Sequence, residues 1–423
     1  MRMRHPFAAA LAAALALPLA ARGAEQKPAS PAAPEQPCEP VKPCEIPDEP
    51  AAAPEEAPAE FGAEAKLLFD LVSCQGAKLP PAFEAGVVKE FCAKQKKAIA
   101  AYRDRYLPKA GPFLASLRPE GLPSAVVYPF GGGDLLSALT TYPDAKSYTT
   151  LSLEHAGDPR RAAAIQDPKV LADSLEVVRA TSSGLLYAND SKTENLMKGQ
   201  RGEIPGQLAF FMTALAVHGY EPVGLRFFKI QPDGTLHYLT RTEINAAEKE
   251  TARLLRGQWT APDFSPAFSN SEIVFVKKGE DPKTHGRVHR HVAADLSDHA
   301  LAKDPGILKH LAGKGEFAAM TKAASYLLWR DDFSRIRKVL LAHMVFMVSD
   351  STGIPPHLAE KAGFVQETYG DFQKSFLDAS PEINDEFAKL WASQPKRALP
   401  VRYGYIDGAK HNHLLVTRKA PKT

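Results

Sequence analysis

A short apolar strand that runs directly into three glycines restricts this chain to a small group of folds. Residues 125–130 (Ala-Val-Val-Tyr-Pro-Phe) have strand-forming composition, and residues 131–133 are all glycine. A helix is predicted over 135–139 and a second strand over 148–153. Strands joined by a helical crossover lie parallel, because a tight turn joins only antiparallel strands. The pattern therefore predicts an α/β protein built on a mixed sheet with flanking helices.

The alternation of strands and helices continues to the end of the chain. Further strands are predicted at 223–230, 235–240, 272–276 and 288–292, helices at 206–217, 305–312, 332–342 and 382–392, and a terminal hairpin of strands at 402–406 and 414–417. Residues 343–348 are apolar throughout and suit either a buried strand or a helix, because periodicity does not separate the two. The α/β domain, with insertions, is predicted to span 119–423.

Residues 61–118 are predicted to form a helical hairpin that packs on this domain, because apolar residues recur there at helical spacing. The four cysteines of the chain allow three sets of pairings, and their spacing is not that of a Cys-x-x-Cys site. We expect structural disulfides. Cys38 and Cys44 would close a local loop. Cys74 and Cys92 would join the two helices, with free buried thiols as the alternative for this pair.

The first 23 residues have the features of a secretory signal peptide. A basic start is followed by an apolar run at 7–21 and by small residues near Gly23. The run is shorter than the roughly 20 residues that a spanning helix needs, and an uncleaved anchor is the alternative. We therefore expect an exported protein, periplasmic or secreted, in a compartment that permits disulfides. No membrane span is expected after signal cleavage.

Residues 24–60 are expected to form a disordered linker. They carry ten prolines and nine acidic residues, a composition that buries too little apolar surface to offset the entropy of folding. The whole chain has a formal net charge of +3, and its basic residues are scattered along the sequence. This distribution excludes the concentrated basic patch that nucleic-acid binding requires, so no nucleic-acid partner is predicted. The oligomeric state stays open.

Residues 126–154 resemble the opening unit of a Rossmann-like fold, and most closely that of class I methyltransferases. In that family the glycines of the first loop let the backbone approach the cofactor, and an acid at the end of the second strand bonds ribose hydroxyls. The resemblance implies those places for Gly131, Gly133 and Glu154. The chain departs from the family where Leu136 replaces a third glycine. An exported protein also meets little S-adenosylmethionine or other nucleotide, so the cofactor is left unassigned.

The chain also resembles a family of exported bacterial proteins without an assigned activity. The resemblance is carried by segments at 128–134, 152–154, 322–326, 333–337 and 351–355. It covers most of residues 110–420. It implies export and a single extended α/β body, and it supplies no chemistry.

The carboxyl ends of parallel strands form the edge at which open α/β sheets bind ligands. The residues predicted at that edge are Gly131, Gly132, Gly133, Asp134, Glu154, His155, Asp350 and Ser351. Three successive glycines cost conformational entropy, which favours a close approach of the backbone to another group. The alternative is a tight turn packed against neighbouring protein. Asp134 is expected to cap the following helix, and a capping turn is the alternative for Asp350 and Ser351.

A lysine in an otherwise apolar segment is a second candidate for a functional residue. Lys322 precedes Ser325 and Tyr326. A buried lysine beside a serine can activate it as a nucleophile. Neither Ser-x-x-Lys nor Gly-x-Ser-x-Gly occurs around this serine, and a polar network in the core is the expectation.

Two His-x-His pairs are a third kind of candidate. His289 with His291, and His411 with His413, would each present two imidazoles to one face of a strand. Two such pairs can bind zinc. Nothing in the sequence brings the pairs together, so we expect exposed strand histidines and predict no metal site.

These patterns favour an exported α/β protein that binds a small polar ligand or partner, without catalysis, at the edge formed by Gly131–Asp134 and Glu154. A hydrolase-type enzyme that uses carboxylates as general acid and base is one alternative. A structural scaffold is the other. The sequence leaves open whether the protein is an enzyme.

Overall fold

The computed structural model describes residues 56–75, 85–188, 202–204, 206–254, 263–322, 324–350, 352–372, 381–403 and 412–420. The predicted signal peptide, most of the predicted linker, Cys38, Cys44, Ser351 and His411 lie outside these residues. Residues 56–423 form one compact unit, which contains both the N-terminal helices and the sheet.

One mixed sheet of ten strands runs through the described part of the chain. Its strands are β1 (Ala125–Pro129), β2 (Ser147–Ser152), β3 (Tyr220–Ile230), β4 (Leu236–Tyr238), β5 (Ser271–Lys277), β6 (Arg287–Ala293), β7 (Phe317–Thr321), β8 (Met344–Ser349), β9 (Phe364–Gly370) and β10 (His413–Lys419). Their order is β4-β3-β5-β6-β2-β1-β7-β8-β10-β9. The five central strands in this order, which are β6, β2, β1, β7 and β8, are parallel to one another. The strands outside them pair antiparallel with their neighbours. The predicted mixed α/β class is confirmed at this level.

Helices flank the sheet. In the described residues they are α1 (Gly62–Ser73), α2 (Ala85–Ala101), α3 (Leu107–Leu117), α4 (Leu135–Thr141), α5 (Arg160–Ala164), α6 (Pro168–Ser183), α7 (Leu208–Val217), α8 (Arg241–Leu254), α9 (Pro282–His285), α10 (Asp298–Lys303), α11 (Gly306–Ala312), α12 (Ser334–His343), α13 (Pro356–Lys361) and α14 (Pro381–Ser393). A π-helical turn over Tyr102–Tyr106 joins α2 to α3. Across the described ranges, no helix is long and apolar enough to cross a membrane.

The parallel pair β1–β2 is the unit that the glycine motif predicts. Val126 of β1 lies opposite Tyr148 of β2, and α4 connects the two strands. Alternate residues pack into two separate apolar layers: Tyr128 and Tyr148 belong to one, and Val127 and Leu151 to the other. Because both faces of these strands are covered, their residues are buried almost throughout.

Helix α7 lies in the interior, which explains its composition. All its residues, Leu208–Val217, are buried. It packs against α1, α4 and β3, so every side of the helix meets protein. A helix that is surrounded by protein has no face in contact with solvent, and it can therefore be apolar on all sides. The start of this helix reaches the carboxyl end of β1, where the glycine loop lies.

Near the C-terminus the structure resolves one ambiguity, at residues 343–348, and corrects one prediction, the terminal hairpin. The apolar run at 343–348 supplies β8, which lies between β7 and β10 and therefore lacks the alternation of a half-exposed strand. The predicted terminal hairpin is wrong. Strand β10 pairs with β8 and β9, and Arg402 and Tyr403 are not in a strand. Residues 404–406 lie outside the described residues.

Cys74 and Cys92 form a disulfide between the end of α1 and helix α2. This confirms the pairing predicted for the N-terminal helices. Helix α1 also packs against β3 and α7, so the disulfide ties α2 to an element that is anchored on the sheet.

Replacing both cysteines with serine is expected to lower the free energy of unfolding by about 3 kcal/mol. The bond joins residues 18 positions apart, and opening a loop of that size increases the conformational entropy of the unfolded chain by about this amount. Urea denaturation of the oxidised full chain and of the C74S/C92S variant measures the difference. A change smaller than about 1 kcal/mol would contradict the prediction.

Candidate functional site

The connections of the parallel strands reverse direction between β1 and β7. From β1 the chain proceeds outward to β2 and β6, and later returns to add β7 and β8 on the other side. Open α/β sheets bind ligands outside the carboxyl ends of their strands at such a switch point. We use the name switch-point edge for the residues that gather there, which are Phe130–Asp134, Lys322, Ser325, Asp350 and Thr352.

A buried ion pair joins β1 and β7 at this edge. Lys322 Nζ lies 3.3 Å from Asp134 Oδ2 and donates a hydrogen bond to Ser137 Oγ at 2.8 Å. Asp134 Oδ1 accepts the backbone N–H of Ser137 at 3.0 Å, which confirms the predicted cap of α4. The Tyr128 hydroxyl donates to Asp134 Oδ2 at 3.1 Å. Both charged side chains are at most 1% exposed, so this close pairing is what offsets the loss of their hydration.

A second polar group lies at the end of the neighbouring strand β8. The Ser325 hydroxyl donates to Asp350 Oδ1 at 2.5 Å, and Thr352 Oγ1 lies 2.7 Å from Ser325 Oγ. All three side chains are buried. The sequence suggested that Lys322 could activate Ser325. In the structure the two side chains contact different partners, because Lys322 donates to Ser137 and Ser325 donates to Asp350.

The backbone that leaves β1 adopts a left-handed conformation at Phe130. Its φ is 61°, which bulky L residues rarely adopt. After this turn the Gly131 N–H donates a hydrogen bond to the carbonyl oxygen of Leu151 on β2, with 3.0 Å between nitrogen and oxygen. Gly132 is also in the left-handed region, with a φ of 50°. The Phe130 ring packs edge-on against Phe333 at 5.6 Å between centroids. Conformations of this kind concentrate at functional sites, where the surrounding structure enforces them.

The glycine loop is closed, whereas the ligand-binding interpretation expects it open. Gly131, Gly132 and Gly133 are all buried. A side-chain carbon on Gly133 would overlap Gln207 Oε1 and would lie 3.0 Å from the ring of Phe210. The close approach that three glycines predict is therefore made to the protein's own chain at the start of α7.

Glu154 and His155 follow β2, one strand away from the glycine loop. Glu154 is buried, and its carbonyl accepts a hydrogen bond from His291 Nε2 at 2.7 Å. His155 Nδ1 lies 2.8 Å from the Ser269 hydroxyl. Burial lowers the pKa of His155 to about 4. The imidazole is therefore neutral at neutral pH, and its hydrogen-bond partner comes from the segment before β5.

The candidate carboxylates do not form one catalytic pair. Strands β2 and β8 are separated by β1 and β7. Three strand spacings of about 4.8 Å separate their ends by about 14 Å. A general acid and a general base must both lie within hydrogen-bond reach of the reacting group. Glu154 and Asp350 are thus too far apart to act on one bond. Asp134, which follows β1, is already paired with Lys322.

The histidines of β6 are buried, so the prediction of exposed strand histidines is wrong. His289 and His291 lie beneath Phe211 of α7, with ring centroids 4.4 Å and 5.2 Å from it. Thr150 Oγ1 lies 3.0 Å from His289 Nε2 and 3.0 Å from His291 Nδ1. Burial lowers the pKa of His291 to about 4 and that of His289 well below its usual value. The strand pattern alone does not reveal that α7 covers this face.

Of the second His-x-His pair, the structure describes only His413, and its side chain is not exposed. His413 is buried, with its ring 5.3 Å from that of Phe372. His411 lies outside the described residues. Among the residues that the structure describes, no group of three or more His, Cys, Asp or Glu side chains could hold a metal ion.

Some side chains at this edge were not among the predicted site residues. Ser137 lies three residues after Asp134, and the helix-capping pattern could have indicated it. The Tyr403 ring lies 5.6 Å from Lys322 Nζ, and its hydroxyl lies 3.3 Å from Thr141 Oγ1. Burial raises the pKa of Tyr403 well above its usual value, so the phenol stays neutral. No local pattern connects Tyr403, near the end of the chain, to β7.

The fold and this edge define a mixed α/β protein with a buried polar network at its switch point. No protein-family model matches the chain, and no curated protein matches it. Its function is therefore inferred from its own residues.

Proposed function

We propose that this is an exported, non-catalytic α/β protein that binds a small polar ligand at the switch-point edge. One observation carries the proposal. The carboxylates of Asp134 and Asp350 and the ammonium of Lys322 are all buried at the strand ends where open α/β sheets bind ligands. Burying an ion carries a desolvation penalty of several kcal/mol. Buried ionisable groups in such a place are candidates for a functional site.

The composition of the edge indicates the class of ligand. Two carboxylates and one ammonium give these residues a negative balance. The hydroxyls of Ser325 and Thr352 can rotate to donate or accept a hydrogen bond. A neutral or cationic molecule that carries hydroxyl or amino groups fits this set better than an anion does.

The backbone at Phe130 supports the same location. A φ of 61° at a bulky residue is costly, and it occurs at the point where β1 meets the switch point. The Phe130 ring is partly exposed, so the edge also offers an apolar contact beside its buried charges.

The strand order supports a Rossmann-like core of the methyltransferase type. The run β6-β2-β1-β7-β8 follows the 3-2-1-4-5 order of that fold, and the antiparallel β10 beside β8 is similar to a strand of the pair that ends methyltransferase sheets. A nucleoside cofactor does not fit the described residues. Gly133 packs against Gln207, and Glu154, which the resemblance assigns to ribose, is buried. We therefore propose no methyl transfer.

A scaffold without a ligand is the second candidate, and the start of α7 against the glycine loop favours it. A hydrolase has less support. Glu154 and Asp350 follow strands about 14 Å apart. The Ser325 hydroxyl contacts Asp350 and Thr352, and within the described ranges no histidine contacts it to act as a general base.

Export rests on the sequence of the first 23 residues. The Cys74–Cys92 disulfide is compatible with it, because structural disulfides persist in oxidising compartments.

A thermal-shift screen of the full chain against sugars, amino compounds, nucleotides and divalent metals tests this function. We expect a hydroxyl- or amino-bearing compound to raise the melting temperature by about 4 °C at 100 times its Kd. The variant T352V removes one hydroxyl of the edge with little change of shape, and we expect it to abolish this shift.

T149V is the matched control. Thr149 is buried on β2, and its hydroxyl has no hydrogen-bond partner among the described residues, so this variant should keep both the fold and the shift. A screen without any response would favour the scaffold. An undiminished shift in T352V would place the ligand elsewhere and overturn the proposal.

A further inference from the structure

A cavity of about 380 Å³ lies at the amino ends of β1 and β2, opposite the switch-point edge. Its walls come from the end of α3, from the segment at 118–124 that leads into β1, and from the turn at 142–145 between α4 and β2. Binding sites for small molecules have volumes of about 300–1,000 Å³. This cavity therefore has room for a small molecule but not for a large cofactor.

The Arg118 guanidinium lines this cavity and uses few of its hydrogen-bond donors. The side chain is only 16% exposed. Within the described ranges it makes one hydrogen bond, from Nη1 to the Thr141 carbonyl at 3.1 Å, which caps the C-terminal end of α4. A guanidinium has several further N–H donors in a fixed planar arrangement. Because little water reaches this side chain, those donors favour an acceptor bound in the cavity.

The carboxylate nearest to Arg118 leaves these donors free. Asp144 Oδ2 lies 3.8 Å from Arg118 Nη2, which is too long for a hydrogen bond. The Asp144 side chain is 90% exposed, so water solvates it and the ion pair contributes little to stability. Glu120 adds a second carboxylate to the lining. The cavity therefore presents one cation beside two anions.

The rest of the lining is largely apolar. Ala115, Leu122, Pro123 and Ala145 contribute aliphatic surface to the walls. An apolar lining with a few polar groups that fix the orientation of a molecule is typical of small-molecule sites.

We propose that this cavity binds a free α-amino acid with an apolar side chain. The carboxylate of the ligand accepts two parallel hydrogen bonds from Arg118, the arrangement that a guanidinium favours. Its ammonium donates to Asp144, and its side chain packs on Leu122 and Pro123. An α-amino acid carries both charges on one carbon atom, so their partners must lie close together. The 3.8 Å between Arg118 and Asp144 meets this requirement.

The two carboxylates favour this class of ligand over a simple anion. An anion on Arg118 would also face the like charges of Asp144 and Glu120. A simple amine would leave the donors of Arg118 without an acceptor. A molecule with both charges avoids both costs.

Isothermal titration of the full chain at pH 7 with L-leucine, L-valine and L-phenylalanine tests the proposal. Two relatives of leucine serve as comparison compounds: isocaproate lacks the ammonium, and isoamylamine lacks the carboxylate. We expect saturable binding of leucine and an affinity at least about tenfold lower for each comparison compound. Absent binding of all three amino acids, or a comparison compound that binds as tightly as leucine, would overturn the proposal.

Variants of the cavity locate the binding. D144N changes an exposed side chain, so the fold should be kept, and leucine should bind about fivefold more weakly while isocaproate is not weakened. In E120Q/D144N, leucine and isocaproate should bind about equally. R118M should abolish leucine binding, whereas K109M, at an exposed position of α3, should leave it unchanged.

Asp144 lies at the opposite ends of the strands from the switch-point edge, so an effect of D144N cannot arise at that edge. Unchanged leucine affinity in D144N, or a preference for leucine over isocaproate that persists in E120Q/D144N, would show that the amino acid does not bind here.

Discussion

Replacing Lys322 with methionine is expected to lower the free energy of unfolding by about 3–5 kcal/mol, the range typical of a buried ion pair that loses one partner. The lysine lies 3.3 Å from Asp134 and donates to Ser137 at 2.8 Å, in a region without solvent access. Methionine is apolar and unbranched like the lysine stem, so the loss arises mainly from a carboxylate left buried without its cation. Urea denaturation at pH 7 measures the change.

Two further variants separate charge from packing. K338M alters an exposed lysine on α12 and should change stability by less than about 0.5 kcal/mol. Adding D134N to K322M removes the unpaired charge while the amide oxygen still caps α4, so part of the stability should return. A K322M variant that loses less than about 1 kcal/mol, or a double variant without recovery, would show that this pair is unimportant for stability.

Acidification from pH 7.5 to pH 5 is expected to lower the free energy of unfolding by about 4 kcal/mol through the two histidines of β6. Burial lowers the pKa of His291 to about 4 and that of His289 well below its usual value. In the unfolded chain both titrate near 6.5. Below that pH the unfolded state binds protons that the folded state excludes, so stability is complete above about pH 6.5 and falls as the pH drops towards the folded values.

The hydrogen-bond chain explains why these rings resist protonation. His291 donates from Nε2 to the Glu154 carbonyl, so its Nδ1 accepts from the Thr150 hydroxyl. His289 then donates to Thr150, and its Nδ1 is a buried acceptor without a partner among the described residues. A proton on either Nδ1 would create a buried cation, and on His291 it would also displace the Thr150 hydrogen bond.

Urea titrations between pH 5 and pH 7.5 measure the effect above the range in which carboxylates titrate. The pKa values of His155, His218 and His310 are also lowered by burial and contribute in the same direction. H289Q should reduce the slope by about 1.4 kcal/mol per pH unit. H299Q, at an exposed position of α10, should leave it unchanged. A flat profile, or an unchanged slope in H289Q, would contradict the assignment.

The parts of the fold that could be predicted depend on neighbours in sequence. The β1–β2 unit follows from residues 125–153, because a strand, a glycine loop and a crossover helix within one segment permit only parallel pairing. The cap of α4 by Asp134 follows from unsatisfied backbone N–H groups in the first helical turn. Strand β7 was missed because its two alanines carry little strand preference.

The candidate site was predictable only in part. The strand-end rule directs attention to Asp134 and Asp350, and both are buried at the switch-point edge. The partner of Lys322 could not be read from its neighbours, because the nearest serine in sequence, Ser325, binds Asp350 instead. A glycine loop packed against neighbouring protein was one of the two alternatives, but the residue that closes it was not predictable, since Gln207 lies at the start of a helix much later in the sequence.

By itself the sequence determined the α/β class, most helices and strands, the parallel unit at β1 and β2, and the polar character of the strand ends. Each of these depends on local periodicity, turn chemistry or capping, which act over a few residues. Only the tertiary structure decided the order of ten strands, the burial of His289 and His291 under α7, and the pairing of Lys322 with Asp134 across 188 positions. Contacts between residues so far apart in sequence depend on which helices and strands pack against each other. The residue pattern along one strand shows which of its own faces is apolar, and it does not show which element covers that face.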